Sequence, residues 1–113
     1  DQRFGLNPTP GMSMTGTSRA VIEACPPGVL GPDLAACAAY QGAVDAATSL
    51  TCPTTLILGS LDRMTPRRAA QPLLDAMPLA SIVELPDSGH APMMEEPEAV
   101  RRALGDHLDR LTA

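Results

Sequence analysis

The sequence predicts an α/β fold in which two short parallel strands are flanked by helices and preceded by a helical segment. Three observations carry that prediction. Leu56-Ile57-Leu58 and Ile82-Val83-Glu84-Leu85 are near-continuous apolar runs, the pattern of strands covered on both faces of a parallel sheet. Between them Ala70, Leu73, Leu74 and Met77 recur at helical spacing, so strand, helix and strand make a right-handed βαβ unit of about 32 residues. After the second run, a helix opening at Glu96-Pro97 carries Val100, Ala103, Leu104, His107, Leu108 and Leu111 on one face.

Each element has a local cause. Residues 1–13 hold Gly5, Pro8, Pro10 and Gly11 and read as irregular. Thr15 or Thr17 caps a short helix that runs to about Ala24 and stops at Cys25-Pro26-Pro27-Gly28. A second helix opens at Gly31-Pro32-Asp33, runs through Tyr40 and breaks at Gly42, with Ala43 to Ser49 as a further turn or two. Thr54 to Gly59 is the first strand. Thr65-Pro66 reads as an N-cap followed by Pro at the first helical position. Pro72 then forces that helix to start late or to kink, and Met77-Pro78 ends it.

With 113 residues the chain fits one small domain or part of a larger one. Phe4 and Tyr40 are its only aromatics, so Ala, Leu and Met must fill the core. A net charge of −5 argues against nucleic acid as a partner, because phosphate neutralisation needs a basic face. Arg67-Arg68 and Arg101-Arg102 read as solvated helix faces. Cys25, Cys37 and Cys52 have no CxxC spacing and read as small, buried, reduced thiols, which suits the cytoplasm. No stretch approaches 18 apolar residues, so no membrane span is expected. The first residues lack both a signal-peptide core and an initiator Met, which suggests processing or a longer parent. Two His and three scattered Cys give no metal-ligand spacing, and no cofactor motif is present.

The chemistry-bearing residues are Asp62 and His90. Each follows one of the two predicted strands, in a loop at its carboxyl end, where open parallel sheets bind ligands. Neighbouring strands lie about 4.8 Å apart, so loops leaving them can touch. A carboxylate bonded to one imidazole nitrogen fixes the tautomer and leaves the other nitrogen free to act as a base. The competing readings are a carboxylate that caps the helix near Thr65 or pairs with Arg63, and a histidine with a structural hydrogen bond. Asp87 is an alternative partner on the same loop as His90. Met93 and Met94 either line a pocket beside His90 or pack in the core, and His107 reads as a packed helix histidine.

Leu58-Gly59-Ser60-Leu61-Asp62-Arg63-Met64-Thr65-Pro66 resembles the acid loop of the α/β-hydrolase superfamily, usually G-x-x-D-x-x-x-P. Asp87-Ser88-Gly89-His90-Ala91-Pro92-Met93-Met94-Glu95-Glu96-Pro97 resembles its histidine loop, in which a G-H pair precedes an apolar stretch, an acidic residue and a Pro that opens the last helix. The spacing of 28 residues from Asp62 to His90 also matches. The resemblance is good over about residues 51–111. It implies the C-terminal part of an α/β-hydrolase fold, with Asp62 the triad acid and His90 the general base. It divides the chain into 1–50, similar to the end of a cap and the helix re-entering the main domain, and 51–113, the C-terminal βαβα unit.

In this family the order along the chain is nucleophile, acid, histidine. No G-x-S-x-G occurs here. The nearest approach, Gly11-Met12-Ser13-Met14-Thr15-Gly16, follows two prolines rather than an apolar strand, and Ser60 and Ser88 lack elbow context. The resemblance therefore places the nucleophile and oxyanion hole before residue 1, and implies that this chain alone has little or no activity. The expected substrate is a small molecule with an ester, lactone, epoxide, C–halogen or C–C bond. Ser or Asp as nucleophile would separate these chemistries. Two strands leave open edges, a hazard that a second copy of the chain or an upstream half would cover. The contrasting function class is a non-catalytic assembly or binding module that keeps the hydrolase scaffold.

Overall fold

The computed structural model describes residues 14–112. The irregular reading of residues 1–13 and the serine of the Gly11–Gly16 motif lie outside them. The described chain runs α1 (Met14–Ala24), α2 (Leu30–Ala39), α3 (Ala43–Thr48), β1 (Thr54–Gly59), α4 (Arg67–Ala76), β2 (Ala80–Leu85), α5 (Pro92–Glu95) and α6 (Pro97–Thr112). The strands pair in parallel from Thr54↔Ala80 to Gly59↔Leu85, with α4 as the crossover. The predicted α/β architecture is thus the observed one.

The helix limits follow backbone chemistry. Gly28 at φ +85° turns the chain after α1, a conformation that favours glycine. Pro32 sits in the first turn of α2, where its missing N–H is not needed. Gly42 separates α2 from α3. α1 already runs from Met14, so Thr15 and Thr17 lie inside it rather than capping it.

The start of α4 also differs from expectation. Its N-cap is Pro66, with no side-chain cap bond, and Arg67 is the first helical residue. Thr65 lies one residue before that cap, outside the helix, and its hydroxyl donates to Asp62. Pro72 sits within the helix, at the cost of the hydrogen bond to the Arg68 carbonyl.

The core is small and built of small or flexible side chains, with Ala47, Met77, Leu85 and Ala103 buried. Neither strand is covered on both faces, because Thr54 to Leu58 are half-buried. The predicted stripe of α6 is also only partly packed: Ala103 is buried, whereas Leu104, Leu108 and Leu111 are exposed. α2 buries none of its residues. The thiols depart from expectation too: all three are free, but Cys37 and Cys52 are exposed and Cys25 is half-buried. A small apolar side chain is buried only where another layer lies over it, and none of the described residues covers Cys37 or Cys52.

One arginine of each helix-face pair is partnered. Arg67 pairs with Glu84 at 3.0 Å and Arg101 with Glu98 at 2.9 Å, both in solvent. His107 does more than pack. Its Nδ1 lies 2.9 Å from the Thr55 hydroxyl, which also accepts a bond from Arg110 and lies 3.0 Å from Ser81 Oγ. This cluster ties α6 to the amino end of β1. No helix among the described residues is long and apolar enough to cross a membrane.

Candidate active site

The parallel ladder continues past the strand ends and brings the two loops together. Ser60 N–H donates to Leu85 O and Leu61 N–H to Ser88 O, both at 2.9 Å. The backbones come so close that a Cβ on Gly59 would overlap the carbonyl oxygens of Ser88 and Gly89. Only glycine fits there, which gives the glycine of the acid loop a steric cause. Asp62 lies one turn beyond it, its N–H bonded to Gly59 O at 3.1 Å.

Asp62 Oδ2 lies 2.9 Å from His90 Nδ1. The same oxygen accepts the Thr65 hydroxyl at 2.7 Å. Oδ1 accepts the backbone N–H groups of Met64 at 2.8 Å and Thr65 at 3.0 Å. One oxygen thus organises the turn before α4, without capping the helix, and the other faces the imidazole. Among the described residues the ion-pair partner of His90 is Asp62, and neither Arg63 nor Asp87 shares in that contact.

The Asp62 side chain is 9% exposed and that of His90 38%. Burial alone would raise the Asp62 pKa, but bonds from His90, the Thr65 amide and hydroxyl, and the Met64 amide outweigh it and hold the carboxyl at about 2. Asp62 is therefore ionised at neutral pH, ready to stabilise a protonated imidazole.

Glu95 and Ser88 complete the histidine loop. Glu95 is 5% exposed; its Oε2 accepts Gly89 N–H at 2.9 Å and its Oε1 accepts Ala91 N–H at 3.1 Å. Ser88 is fully buried, and its hydroxyl has no partner among the described residues. Ser60 Oγ donates to Glu84 and not to the pair. Among the described residues no serine or cysteine bonds the His90 ring; the one nearby hydroxyl is that of Thr65, 3.3 Å from Nδ1.

An open apolar pocket of about 430 Å³ adjoins the pair, lined by Val21, Ile22, Met64, Met94 and His90 among others. Met94 thus lines it, whereas Met93 points to solvent at 59% exposure. No group of three or more His, Cys, Asp or Glu among the described residues is arranged to hold a metal.

Asp62 and His90, both read as site residues from the sequence, are in hydrogen-bond contact. The roles of Thr65 and Glu95 were not legible. The signal for Thr65 was its place three residues after an Asp, the spacing of a side-chain-to-backbone turn. The signal for Glu95 was an acid five residues after a G-H pair, where the side chain can fold back onto the loop.

The sequence profile described as the alpha/beta hydrolase family matches residues 6–103. The pimeloyl-acyl-carrier-protein methyl ester esterase of Chromobacterium violaceum is 35% identical over 60 residues, which are 53% of this chain and 24% of that protein. Among solved structures, a thermophilic esterase from Thermogutta terrifontis matches with a TM-score of 0.62 and 30% identity, over 67% of this chain and 28% of its own. A serine hydrolase involved in carbazole degradation matches with a TM-score of 0.56 and 26% identity, over 62% and 26% respectively. The chain spans about a quarter of the length of these relatives. With its parallel strand pair, the profile match over most of its length and these structural likenesses, the chain belongs to the alpha/beta hydrolase family.

Proposed function

We propose that this chain carries the acid and general base of an ester-splitting hydrolase, with Asp62 and His90 serving a nucleophile on another stretch of polypeptide. The observation that carries this reading is the 2.9 Å bond between Asp62 Oδ2 and His90 Nδ1, made by a carboxylate already held by three other donors. On this reading residues 1–50 are the end of a cap and its re-entry helix, and 51–113 the C-terminal βαβα unit. The chain alone has little or no activity.

The chemistry follows from the pair. Asp62 holds the proton of His90 on Nδ1, so Nε2 is the basic nitrogen. Nε2 takes the proton of the nucleophile's hydroxyl as its oxygen attacks the ester carbonyl. The resulting imidazolium, stabilised by Asp62, gives that proton to the leaving alkoxide. Water, deprotonated by the same nitrogen, then attacks the acyl intermediate, and the imidazolium returns the proton to the nucleophile's oxygen as the acid leaves. The relatives described as esterases and a serine hydrolase favour serine as nucleophile and an ester as substrate. The pocket beside His90, walled by Val21, Ile22, Met64 and Met94, suits the apolar part of such an ester.

The test compares the 113-residue chain with the product of the reading frame extended upstream. A fluorophosphonate serine probe should label the longer product and not the short one. In the longer product His90→Asn and Asp62→Asn should each lower kcat for a p-nitrophenyl ester about 10⁴-fold. Labelling of the short chain, or undiminished turnover in His90→Asn, would overturn the proposal.

The exposed leucines of α6 and the single neighbour of each strand favour a second reading, a scaffold that docks a further copy of itself and does no chemistry. It calls for a stable oligomer in light scattering that is unaffected by the same two substitutions.

A further inference from the structure

Among the described residues Glu95 is the one buried charged side chain, at 5% exposure. A carboxylate leaves water at large cost unless its oxygens find donors. Here the donors are the backbone N–H groups of Gly89, at 2.9 Å, and Ala91, at 3.1 Å. They belong to the residues immediately before and after His90. The return path is closed as well, because Ala91 O accepts the N–H groups of Met94 at 2.9 Å and Glu95 at 3.0 Å. This is the carboxylate half of a capping box, displaced by one residue, with Ala91 as the N-cap of α5 and Glu95 reaching back to the cap's own N–H.

We propose that Glu95 is a positioning residue for His90: it grips the peptide on each side of the imidazole and so sets the backbone from which the ring reaches Asp62. The need for such a grip follows from the loop itself. Gly89 gives the chain a flexible joint directly before His90. The His90 side chain is more than a third exposed, so packing alone does not hold its ring. Asp62, by contrast, is fixed by its own loop through Met64 and Thr65. Each member of the pair thus has a separate backbone clamp, one around the acid and one around the base. The substitutions separate the elements of this grip. Gln at position 95 keeps one acceptor and turns an NH₂ donor toward the second N–H, whereas Ala removes both acceptors.

This inference rests on the reading of His90 as the base, but its structural content is testable without turnover. The side-chain carboxyl carbon of Asp62 is titrated by NMR in the 113-residue chain, its Glu95→Gln variant and its Glu95→Ala variant. Methyl signals of Leu85 and Ala103 report an intact core. The wild-type midpoint should fall at about 2. In Glu95→Ala it should rise toward 3.8 as the bond from His90 is lost while those from Thr65 and Met64 stay. Hydrogen exchange at Gly89 and Ala91 should accelerate together. Glu95→Gln, which guards against an Ala variant that does not fold, should speed exchange at one of the two amides and move the midpoint part of the way.

An unmoved Asp62 midpoint in a folded Glu95 variant would overturn the proposal, because a residue that merely stabilised the loop would leave the pair intact. In the longer hydrolase Glu95→Gln should lower kcat about 10- to 100-fold with little change in KM. Failure of the hydrolase reading would appear instead as turnover indifferent to His90→Asn, and would leave the titration result standing.

Discussion

Gly59 and Gly89 meet across the carboxyl end of the sheet with no room between them for a side chain: a Cβ on Gly59 would overlap the Gly89 carbonyl oxygen. The obstacle is backbone on both sides, so it cannot rotate away. Gly59→Ala should therefore cost at least about 2 kcal/mol, through overpacking and a displaced histidine loop. Gly105→Ala is the matched control. Gly105 lies within α6, with open space where the Cβ would go. That change should stabilise the chain by about 0.5–1 kcal/mol. Urea midpoints of the two variants should move in opposite directions.

Asp62 makes stability depend on acid in a defined window. The unfolded carboxyl takes up its proton near pH 3.8 and the folded one near 2. The unfolded state thus binds more protons between these values, and stability rises with pH across them. The contribution, about 1–2 kcal/mol after allowance for nearby solvent, is complete only above about pH 5 and is lost as pH falls through 2. Asp62→Asn should flatten that part of a stability–pH curve measured by chemical denaturation.

Ser88 offers a gain rather than a loss. Its hydroxyl is fully buried without a partner among the described residues, and a buried unpaired hydroxyl opposes folding. Ser88→Ala removes one oxygen and leaves the Leu61–Ser88 backbone bond in place. The 113-residue variant should unfold at a higher temperature, by up to about 1 kcal/mol of added stability.

Thr55→Val tests the tie between α6 and β1. The substitution keeps the shape and deletes the oxygen that bonds Arg110 and meets His107 and Ser81. A loss of about 1 kcal/mol should appear as a lower Tm, with the His107 ring signals shifted and those of His90 unchanged.

The parts of this molecule that were legible in the sequence are those set by short-range chemistry. The strands were visible because Leu56-Ile57-Leu58 and Ile82-Val83 leave no alternating face. Asp62 and His90 were visible because each follows such a run inside a motif with its own glycine. Burial was not legible. Leu104, Leu108 and Leu111 form an apolar stripe on α6, yet whether a stripe is covered depends on what lies opposite it. The same holds for Cys37 and Cys52. Thr65 was misassigned because the helix starts one residue later than the Thr-Pro pair suggests, at Arg67, and the Thr65 hydroxyl donates instead to the nearby carboxylate. Glu95 was hidden because its role is to bind main-chain N–H groups, which carry no side-chain signature.

β1 is fastened at both ends: His107 and Arg110 hold Thr55 near its start, while Asp62 and His90 join the loops beyond its finish. A slip of one residue between the strands would turn every side chain to the wrong face. A slip of two would preserve the faces but move Asp62 by about 6.6 Å relative to the histidine loop, far beyond hydrogen-bond reach. The Asp62–His90 contact and the pairing register are thus one measurement, so a ruler read at that pair also reports whether the sheet has closed in step.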